Sequence, residues 1–417
     1  MHDHNTDGSG GAHTPAPFAP TQPSLLDAPP ASGPQRLSVE FTGSGSEYFR
    51  IWLVNLLLSI VTLSLYRPFA KARRLAYFHG NTLVGGQPLG FHGNPWKMLR
   101  GYLLMLLFGG VYFVSGRFSP VAAGVALVCF ALLWPALWRA SLQFRLANTS
   151  WRGLRFGFSG DLGGAYRAML PAVVPWLGFL AAGLLMPRPD ADSAAPVAPP
   201  AGVMALVGLS FAAMLLVMPL SLAWIKRYQH GHYRYAGEQT QLDAGPGRFY
   251  VYALKLLGVA LVMLVASGIF AALVMAGAFV DAAPGRGRAP GAVALVLLAL
   301  GFYLPYFLLL LPYGQSRLQN LVWGHTRSQA LQCHSALRLW PLGKLTLKNL
   351  VLVICTLGLY WPFAAIAMAR LRLSAISVDL DGDLSQWQAG ANGGQNDATG
   401  DATGDAAGDF FGIDMGL

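Results

Sequence analysis

The sequence predicts an all-α polytopic membrane bundle with a small cytoplasmic β-layer built from its loops. Three observations carry this expectation. Hydrophobic residues make up 54% of the 417 residues and charged ones only 12%, where an ordinary soluble domain has roughly 25% charged. Long apolar stretches lie at 97–115, 119–138, 168–186, 203–225, 250–280 and 291–313. Most are long enough to cross roughly 30 Å of hydrocarbon at about 1.5 Å per residue. Four times, a proline near the end of an apolar run is followed thirteen residues later by Asn or His: Pro68 to Asn81, Pro135 to Asn148, Pro219 to His232 and Pro312 to His325. Such repetition means one architectural unit copied along the chain.

Residues 1–36, rich in Pro, Gly, Ala, Ser and Thr, read as a disordered tail with no apolar core for a signal peptide. Residues 37–385 read as a repeat-built integral membrane domain, and 386–417 as a disordered Gly/Asp tail. The aspartates at 397, 401, 405 and 409 lack the spacing and closing Glu of a calcium loop. Strand-like alternation appears at Leu37–Gly43, at Arg152–Gly160 and at Ile376–Leu380. Thr follows three of the repeated polar residues (Thr82, Thr149, Thr326), and Gly sits five beyond the first three (Gly86, Gly153, Gly237).

Charge supplies orientation. Segments 67–100, 139–167, 226–255 and 317–348 hold 21 of the 29 Lys and Arg, with only Asp161, Glu238 and Asp243 as acids. Basic loops stay in the cytoplasm, which puts the turns near 116–118, 187–202 and 281–290 outside. The same bias accounts for the net charge of +10 without nucleic acid. The partners it implies are the bilayer and its anionic headgroups, met at the basic cytoplasmic loops. No protein partner can be named from the sequence.

The two outer apolar runs share a motif. Asn55 and Thr62 lead into Leu63-Ser64-Leu65-Tyr66-Arg67-Pro68-Phe69-Ala70, and Asn349 and Thr356 into Leu357-Gly358-Leu359-Tyr360-Trp361-Pro362-Phe363-Ala364. On a continuous helix, Asn, Thr and Tyr at i, i+7 and i+11 share one face. Ser59 extends the first such stripe and Val353 interrupts the second. The stripes read either as helix–helix hydrogen bonding or as a polar lining. Counting both runs as spans gives eight helices, with the motif leaving on opposite faces. Letting both dip and return, with breaks near Thr-Leu-Ser/Gly and Pro, gives six spans between two re-entrant segments and places both termini in the cytoplasm.

Catalytic signatures are missing. The chain has no Gly-x-Ser-x-Gly elbow, Walker loop, dinucleotide fingerprint or His-Glu-x-x-His, and the expectation is no enzyme and no cofactor. The three cysteines offer no disulfide framework. The histidines at 79, 92, 230, 232, 325 and 334 have no metal-site spacing. His232 and His325 stand where other units carry Asn, which suits a shared hydrogen-bonding role. Two function classes remain. One is a passive conduit or carrier for a small or lipid-like solute, lined by Asn55, Ser59, Thr62, Tyr66, Asn349, Thr356 and Tyr360. The other is a structural or assembly protein recruiting a partner through the basic loops.

The phrase Asn-x6-Thr-Leu-x-Leu-Tyr-x-Pro-Phe-Ala, followed by Arg, Tyr77 and Asn81-Thr82, resembles the YjgN-type bacterial inner-membrane family. Arg145 through Asn148-Thr149 to Arg155-Phe156-Gly157-Phe158 resembles it too. The resemblance runs from about Phe41 to Leu380. It implies a multi-pass inner-membrane protein of a domain-of-unknown-function group, with no activity and no catalytic residues. The chain departs from that pattern at Phe69 and Phe363, where Trp is expected, and at Ala375, where the last copy lacks an Asn at the thirteenth position.

Overall fold

The computed structural model describes residues 35–187, 198–280 and 291–381. The expected tails, apart from Gln35 and Arg36, lie outside the described residues, as do most of the expected outer turns at 187–202 and 281–290.

Among the described residues, one element order recurs five times: strand, helix, turn, helix, strand. The first round is β1 (Gln35–Phe41), α1 (Gly45–Val61), α2 (Arg67–Gly80) and β2 (Thr82–Val84). The second is β3 (Gln87–Phe91), α3 (Pro95–Phe118), α4 (Pro120–Ala147) and β4 (Thr149–Trp151). The third comprises β5 (Leu154–Arg155) with β6 (Gly157–Phe158), α5 (Leu162–Leu184), α6 (Ala201–His230) and β7 (Tyr233–Tyr235). The fourth comprises β8 (Glu238–Gln239) with β9 (Gln241–Leu242), α7 (Pro246–Val280), α8 (Ala292–Pro305), a π-helical turn (Tyr306–Leu310), α9 (Leu311–Trp323) and β10 (Thr326–Arg327). The fifth is β11 (Leu331–Ser335), α10 (Leu339–Cys355), α11 (Trp361–Leu373) and β12 (Ile376–Leu380).

The strands close into a ring. One sheet has nine strands in the order β5-β4-β3-β2-β1-β12-β11-β10-β9, and the other has three, β6-β7-β8. Single residues join the two sheets: Phe156 between β5 and β6, and Thr240 between β8 and β9. Both keep the ladder going, because the Phe156 N–H donates to the Thr149 carbonyl at 2.9 Å and the Thr240 N–H to the Tyr233 carbonyl at 2.9 Å. The stretches 154–158 and 238–242 are therefore bent strands shared by both sheets. With 154–158 and 238–242 each counted as one bent strand, every strand among the described residues has two antiparallel neighbours, so the ring has no open edge to aggregate. Closure lies between the first and last strands, with Ser38 opposite Ser377 and Arg36 opposite Asp379.

Local sequence explains the turns of the ring. Two-residue hairpins matching the strand twist need positive φ at both positions. Gly85-Gly86, Arg152-Gly153 and Ala236-Gly237 all have it, with φ of 54° and 76°, 50° and 81°, and 50° and 86°. This accounts for the glycine five residues past each Asn or His. The fourth unit uses a longer loop, 328–330, between β10 and β11 and needs no such glycine.

Among the described residues, six helices are long and apolar enough to cross a membrane: Pro95–Phe118, Pro120–Ala147, Leu162–Leu184, Ala201–His230, Pro246–Gly277 and Val293–Trp323. The first and fifth units are shorter. There α1 and α10, each of 17 residues, run only about 25 Å before the chain turns back. The turns are near copies: Leu63 and Ser64 have φ of 49° and 72°, and Leu357 and Gly358 have 51° and 92°. Ser64 N–H donates to Ser59 O at 2.6 Å, and Gly358 N–H to Val353 O at 2.7 Å. Gly suits that conformation; Leu and Ser adopt it at a steric cost.

Neighbouring hairpins pack on one another all the way round, α2 on α3, α4 on α5, α6 on α7, α9 on α10 and α11 on α1. The buried cores lie at these junctions, for example Ala72, Met98 and Phe144 between the first two units. Trp138, Leu142, Ala165, Met169 and Tyr228 form the core between the second and third. Prolines inside spanning helices remove a backbone donor, so the neighbouring carbonyls need other partners. Tyr166 Oη donates to Leu132 O at 2.7 Å and Tyr250 Oη to Leu216 O at 2.8 Å, each carbonyl three residues before Pro135 or Pro219. Near Pro312 the close approach is by Gly343, where an added Cβ would lie 2.8 Å from the Leu308 carbonyl oxygen.

Ring closure is testable by cross-linking. In a cysteine-free background, Ser38→Cys with Ser377→Cys is expected to form a disulfide linking positions far apart in sequence. The oxidised double variant then migrates differently from either single variant on a non-reducing gel. Identical migration would show that β1 and β12 are not paired.

Candidate functional site: a polar layer on the axis of the ring

The thirteenth residue after each proline has a structural duty. Asn81 Nδ2 donates to Tyr77 O at 2.8 Å and Asn148 Nδ2 to Phe144 O at 2.7 Å. His232 Nδ1 lies 2.8 Å from Tyr228 O, and His325 Nδ1 2.7 Å from Leu321 O. Each side chain thus closes the last turn of its helix by bonding the carbonyl four residues back, one of the groups a helix end leaves open. The following threonines repeat the device: Thr82 to Phe78 O, Thr149 to Arg145 O and Thr326 to Val322 O, at 2.7–2.8 Å. The backbone carbonyls of the thirteenth residues accept from Thr42, His92, Ser159 and Asp243 at 2.8–3.0 Å. In the fifth unit Ala375 accepts from Ala336 at 2.9 Å, so the backbone bond survives without the side chain. The prolines Pro68, Pro135, Pro219, Pro312 and Pro362 are all buried.

The outer stripes do not form one helical face. Helices α1 and α10 end at Val61 and Cys355, because Thr62 and Thr356 are spent on the turns. Thr62 Oγ1 donates to Leu58 O at 2.7 Å and accepts from Tyr66 N–H at 3.0 Å. Thr356 Oγ1 does the same with Leu352 O at 2.6 Å and Tyr360 N–H at 2.9 Å. Tyr66 and Tyr360 therefore sit beyond the break, stacked on Phe69 and Phe363. Asn55 and Asn349 are buried, and Asn349 Nδ2 reaches Ala364 O at 3.4 Å. Ser59 contributes its carbonyl to the turn. What surrounds these residues outwardly is Leu56, Leu57, Ile60 and Val61, exposed as a lipid-facing surface would be.

A different set of residues meets on the axis. The second helices of the hairpins adjoin one another at their strand ends: Trp138 of α4 lies 5.3 Å from Tyr228 of α6, and His230 of α6 lies 5.2 Å from Trp323 of α9. Gln319 of α9 exchanges two hydrogen bonds with Arg372 of α11, at 2.9 and 3.0 Å. Lys226 Nζ of α6 donates to Gln229 Oε1 at 3.1 Å, and Thr326 Oγ1 lies 3.2 Å from His230 Nδ1. Lys226 and His230 are 6% and 3% exposed. The charges of Arg145 on α4 and Arg372 on α11 both act on Lys226. These helices come from the second, third and fifth units.

On the far side of this layer the ring is filled. Leu37, Trp151, Tyr235 and Leu380 form a buried cluster contributed by β1, β4, β7 and β12. Tyr235 Oη donates to Trp151 O at 3.0 Å, and Trp151 Nε1 to Val84 O at 3.2 Å. Burial pushes the Tyr235 phenol up to about 12 despite the nearby Arg152, so the plug stays neutral at physiological pH.

Sequence reasoning did not single out Lys226, Gln229, Gln319 or Arg372 as a site, and took Arg145 only as loop charge and as part of the family motif. The signal lay in the repeat frame itself. Ten residues past the proline stand Arg145, Gln229 and Arg372; seven past it stand Lys226 and Gln319. Outside the ring, a cleft of about 430 Å³ is lined by Arg248, Lys255, Arg317, Tyr252 and Tyr313. Among the described residues, no group of three or more His, Cys, Asp or Glu is arranged to hold a metal ion.

Comparison with known proteins places the chain. Its residues 36–406 match the family described as "Bacterial protein of unknown function (DUF898)". The chain belongs to that family. It is similar to the Inner membrane protein YjgN of Salmonella typhimurium, 31% identical over 140 residues, 32% of this chain and 35% of the relative. It is also similar to the Inner membrane protein YjgN of Escherichia coli O157:H7, 27% identical over 130 residues, 31% of this chain and 33% of the relative. The chain thus spans about a third of the curated relatives it matches. No solved structure matches. Family and relatives agree with six apolar helices able to span the bilayer: this is a multi-pass inner-membrane protein.

The capping role predicts paired effects. Asn148→Ala loses a buried hydrogen bond and is expected to destabilise the protein by about 1 kcal/mol, seen as a lower melting temperature in detergent. Ala375→Asn supplies the fifth unit with the bond the others have and is expected to leave that temperature unchanged or raise it. A fall for Ala375→Asn as large as that for Asn148→Ala would contradict the equivalence.

Proposed function

We propose that the protein is a non-enzymatic, passive conduit or carrier for a small solute, whose path follows the axis of the ring. The observation supporting this is the polar layer itself. Five hairpins surround a common axis, and at their inner ends they turn Lys226, Gln229, Gln319 and Arg372 inward. A bundle needing only mechanical stability is served better by apolar residues there, since buried polar groups cost free energy unless every one is satisfied. The cluster of Trp151, Tyr235, Leu37 and Leu380 then acts as the gate at the strand end, shut in this conformation. The stripes of the outer units serve the turns that let those units re-enter rather than span.

The ring faces the cytoplasm in this scheme, because the segments beside it carry most of the Lys and Arg. Anionic headgroups of the same leaflet fit the cleft of Arg248, Lys255 and Arg317, where cations and tyrosines meet the interface.

Two measurements test these statements. A reporter fluorescent only in the cytoplasm, fused after Leu417, is expected to light up, and a periplasm-specific phosphatase at the same place to stay inactive. The reverse pattern would put the ring outside. Trp151→Ala with Tyr235→Ala removes the bulk of the gate. Reconstituted into vesicles, this variant is expected to release trapped glycerol or chloride several-fold faster than wild type. If the variant is folded and neither solute escapes faster, the axial path is wrong.

A further inference from the structure

The axial layer has a charge balance that folding alone does not explain. Lys226 is 94% removed from solvent, being 6% exposed, and its only hydrogen-bond partner among the described residues is the Gln229 amide oxygen. An ammonium has three donors and no acceptor, so one neutral acceptor leaves it underserved. Arg372 is held through Gln319 Oε1, another neutral amide. Among the described residues, no carboxylate forms an ion pair with Lys226 or Arg372. Ion pairs among the described residues include Arg36 and His334 with Asp379, Arg167 with Asp161, and Arg327 with Asp243, all on exposed or half-exposed groups.

Like charges are meanwhile brought together. The charges of Arg145 from the second hairpin and Arg372 from the fifth both act on Lys226 from the third. Buried charges are otherwise paired, because an uncompensated one costs several kcal/mol. The offsets within the repeat make the arrangement systematic, since Arg145, Gln229 and Arg372 occupy the same position of three units, and Lys226 and Gln319 the same position of two. The layer lies about 10 Å to the membrane side of the strands, taking seven residues from Lys226 to Tyr233 at about 1.5 Å each.

We infer that this layer is a binding site for a small anion, with Lys226 and Arg372 as its charged ligands and Gln229 and Gln319 as the amides that orient them. The inference deepens the conduit proposal by naming the substrate class: an inorganic anion or short carboxylate. The amide partners suit the role. They hold the cations in place without neutralising them, and an Arg–carboxylate pair in their place would quench the charge a substrate needs. Lys226 is almost fully buried, which favours a free anion over a headgroup still attached to two acyl chains.

The test is a thermal titration of the purified full-length protein in detergent. Sodium chloride and sodium phosphate are added separately, with ionic strength held by the salt of a bulky sulfonate. Wild type is expected to gain melting temperature saturably with at least one of the two anions. Lys226→Gln is expected to weaken the midpoint at least ten-fold, and Lys226→Arg to keep it. Arg155→Gln, at an exposed position on β5, is expected to leave it unchanged and so controls for general screening. In the sulfonate buffer alone, Lys226→Gln should be at least as stable as wild type, because it removes a like charge from the cluster. A lysine with a purely structural role gives the opposite order there. Absence of saturable stabilisation, equal stabilisation of Lys226→Gln, or collapse of Lys226→Gln in the anion-free buffer would each overturn the site.

Vesicle release separates this inference from the conduit proposal. Anion-dependent stabilisation without release from the gate variant leaves the site standing and removes the conduit. Release of glycerol and chloride alike, with no anion effect on stability, does the reverse.

Discussion

The structure depends on one constraint, the closure of the strand ring. A strand at the edge of a sheet exposes unpaired N–H and C=O groups, and here the first and last strands satisfy each other. Once that pairing exists, every intervening segment must leave the ring and come back to it. A single membrane-spanning helix between two strands is then forbidden, and only hairpins remain. This is why the outer units fold back although α1 and α10 are apolar and nearly long enough to span. Their turns adopt positive φ at non-glycine residues such as Leu63 and Ser64, a strain that closure of the ring outweighs.

The repeat unit follows from the same constraint read at the level of hydrogen bonds. A helix that runs directly into a strand leaves its last carbonyls open at the point where the chain turns. Asn81, Asn148, His232 and His325 each close one of them. Asn and His interchange freely there because the position asks only for a short donor at the right distance. Ala375 shows that the donor is dispensable when Ser374 Oγ bonds Leu371 O instead, at 3.2 Å.

Much of this architecture was legible in the sequence. The thirteen-residue spacing measured the distance from the proline to the helix end, and the glycine five further on marked the turn between strands. The paired Thr-Leu-x-Leu-Tyr motifs marked where the outer helices break. The ends of the ring were visible as Leu37–Gly43 and Ile376–Leu380. Two features were hidden for physical reasons. The bends at Phe156 and Thr240 depend on pairing with strands distant in sequence, so no local pattern announces that 154–158 belongs to both sheets. The stripe Asn55, Thr62, Tyr66 assumed a continuous helix, and the turn that ends it is set by Thr62 bonding back to Leu58, a choice of rotamer that spacing alone does not reveal. The axial residues were masked differently, since cations near the ends of spans satisfy the orientation rule whether they face the headgroups or the axis.

That double duty of positive charge is what sets the axial layer apart. A Lys or Arg placed for orientation gains most by snorkelling to the interface, where its charge stays hydrated. Arg248, Lys255 and Arg317 line an open cleft instead. Lys226, in a basic segment like theirs, is almost fully buried. The orientation rule explains why it is basic but gives no reason for it to be buried. Packing gives none either, since Ala369 occupies the same repeat position in the fifth unit and Leu142 in the second. The remaining difference between Lys226 and those two residues is its charge, held on the axis between Arg145 and Arg372. The anion site inferred for this layer would supply the missing negative partner, and the neutral amides of Gln229 and Gln319 hold the two cations without neutralising them.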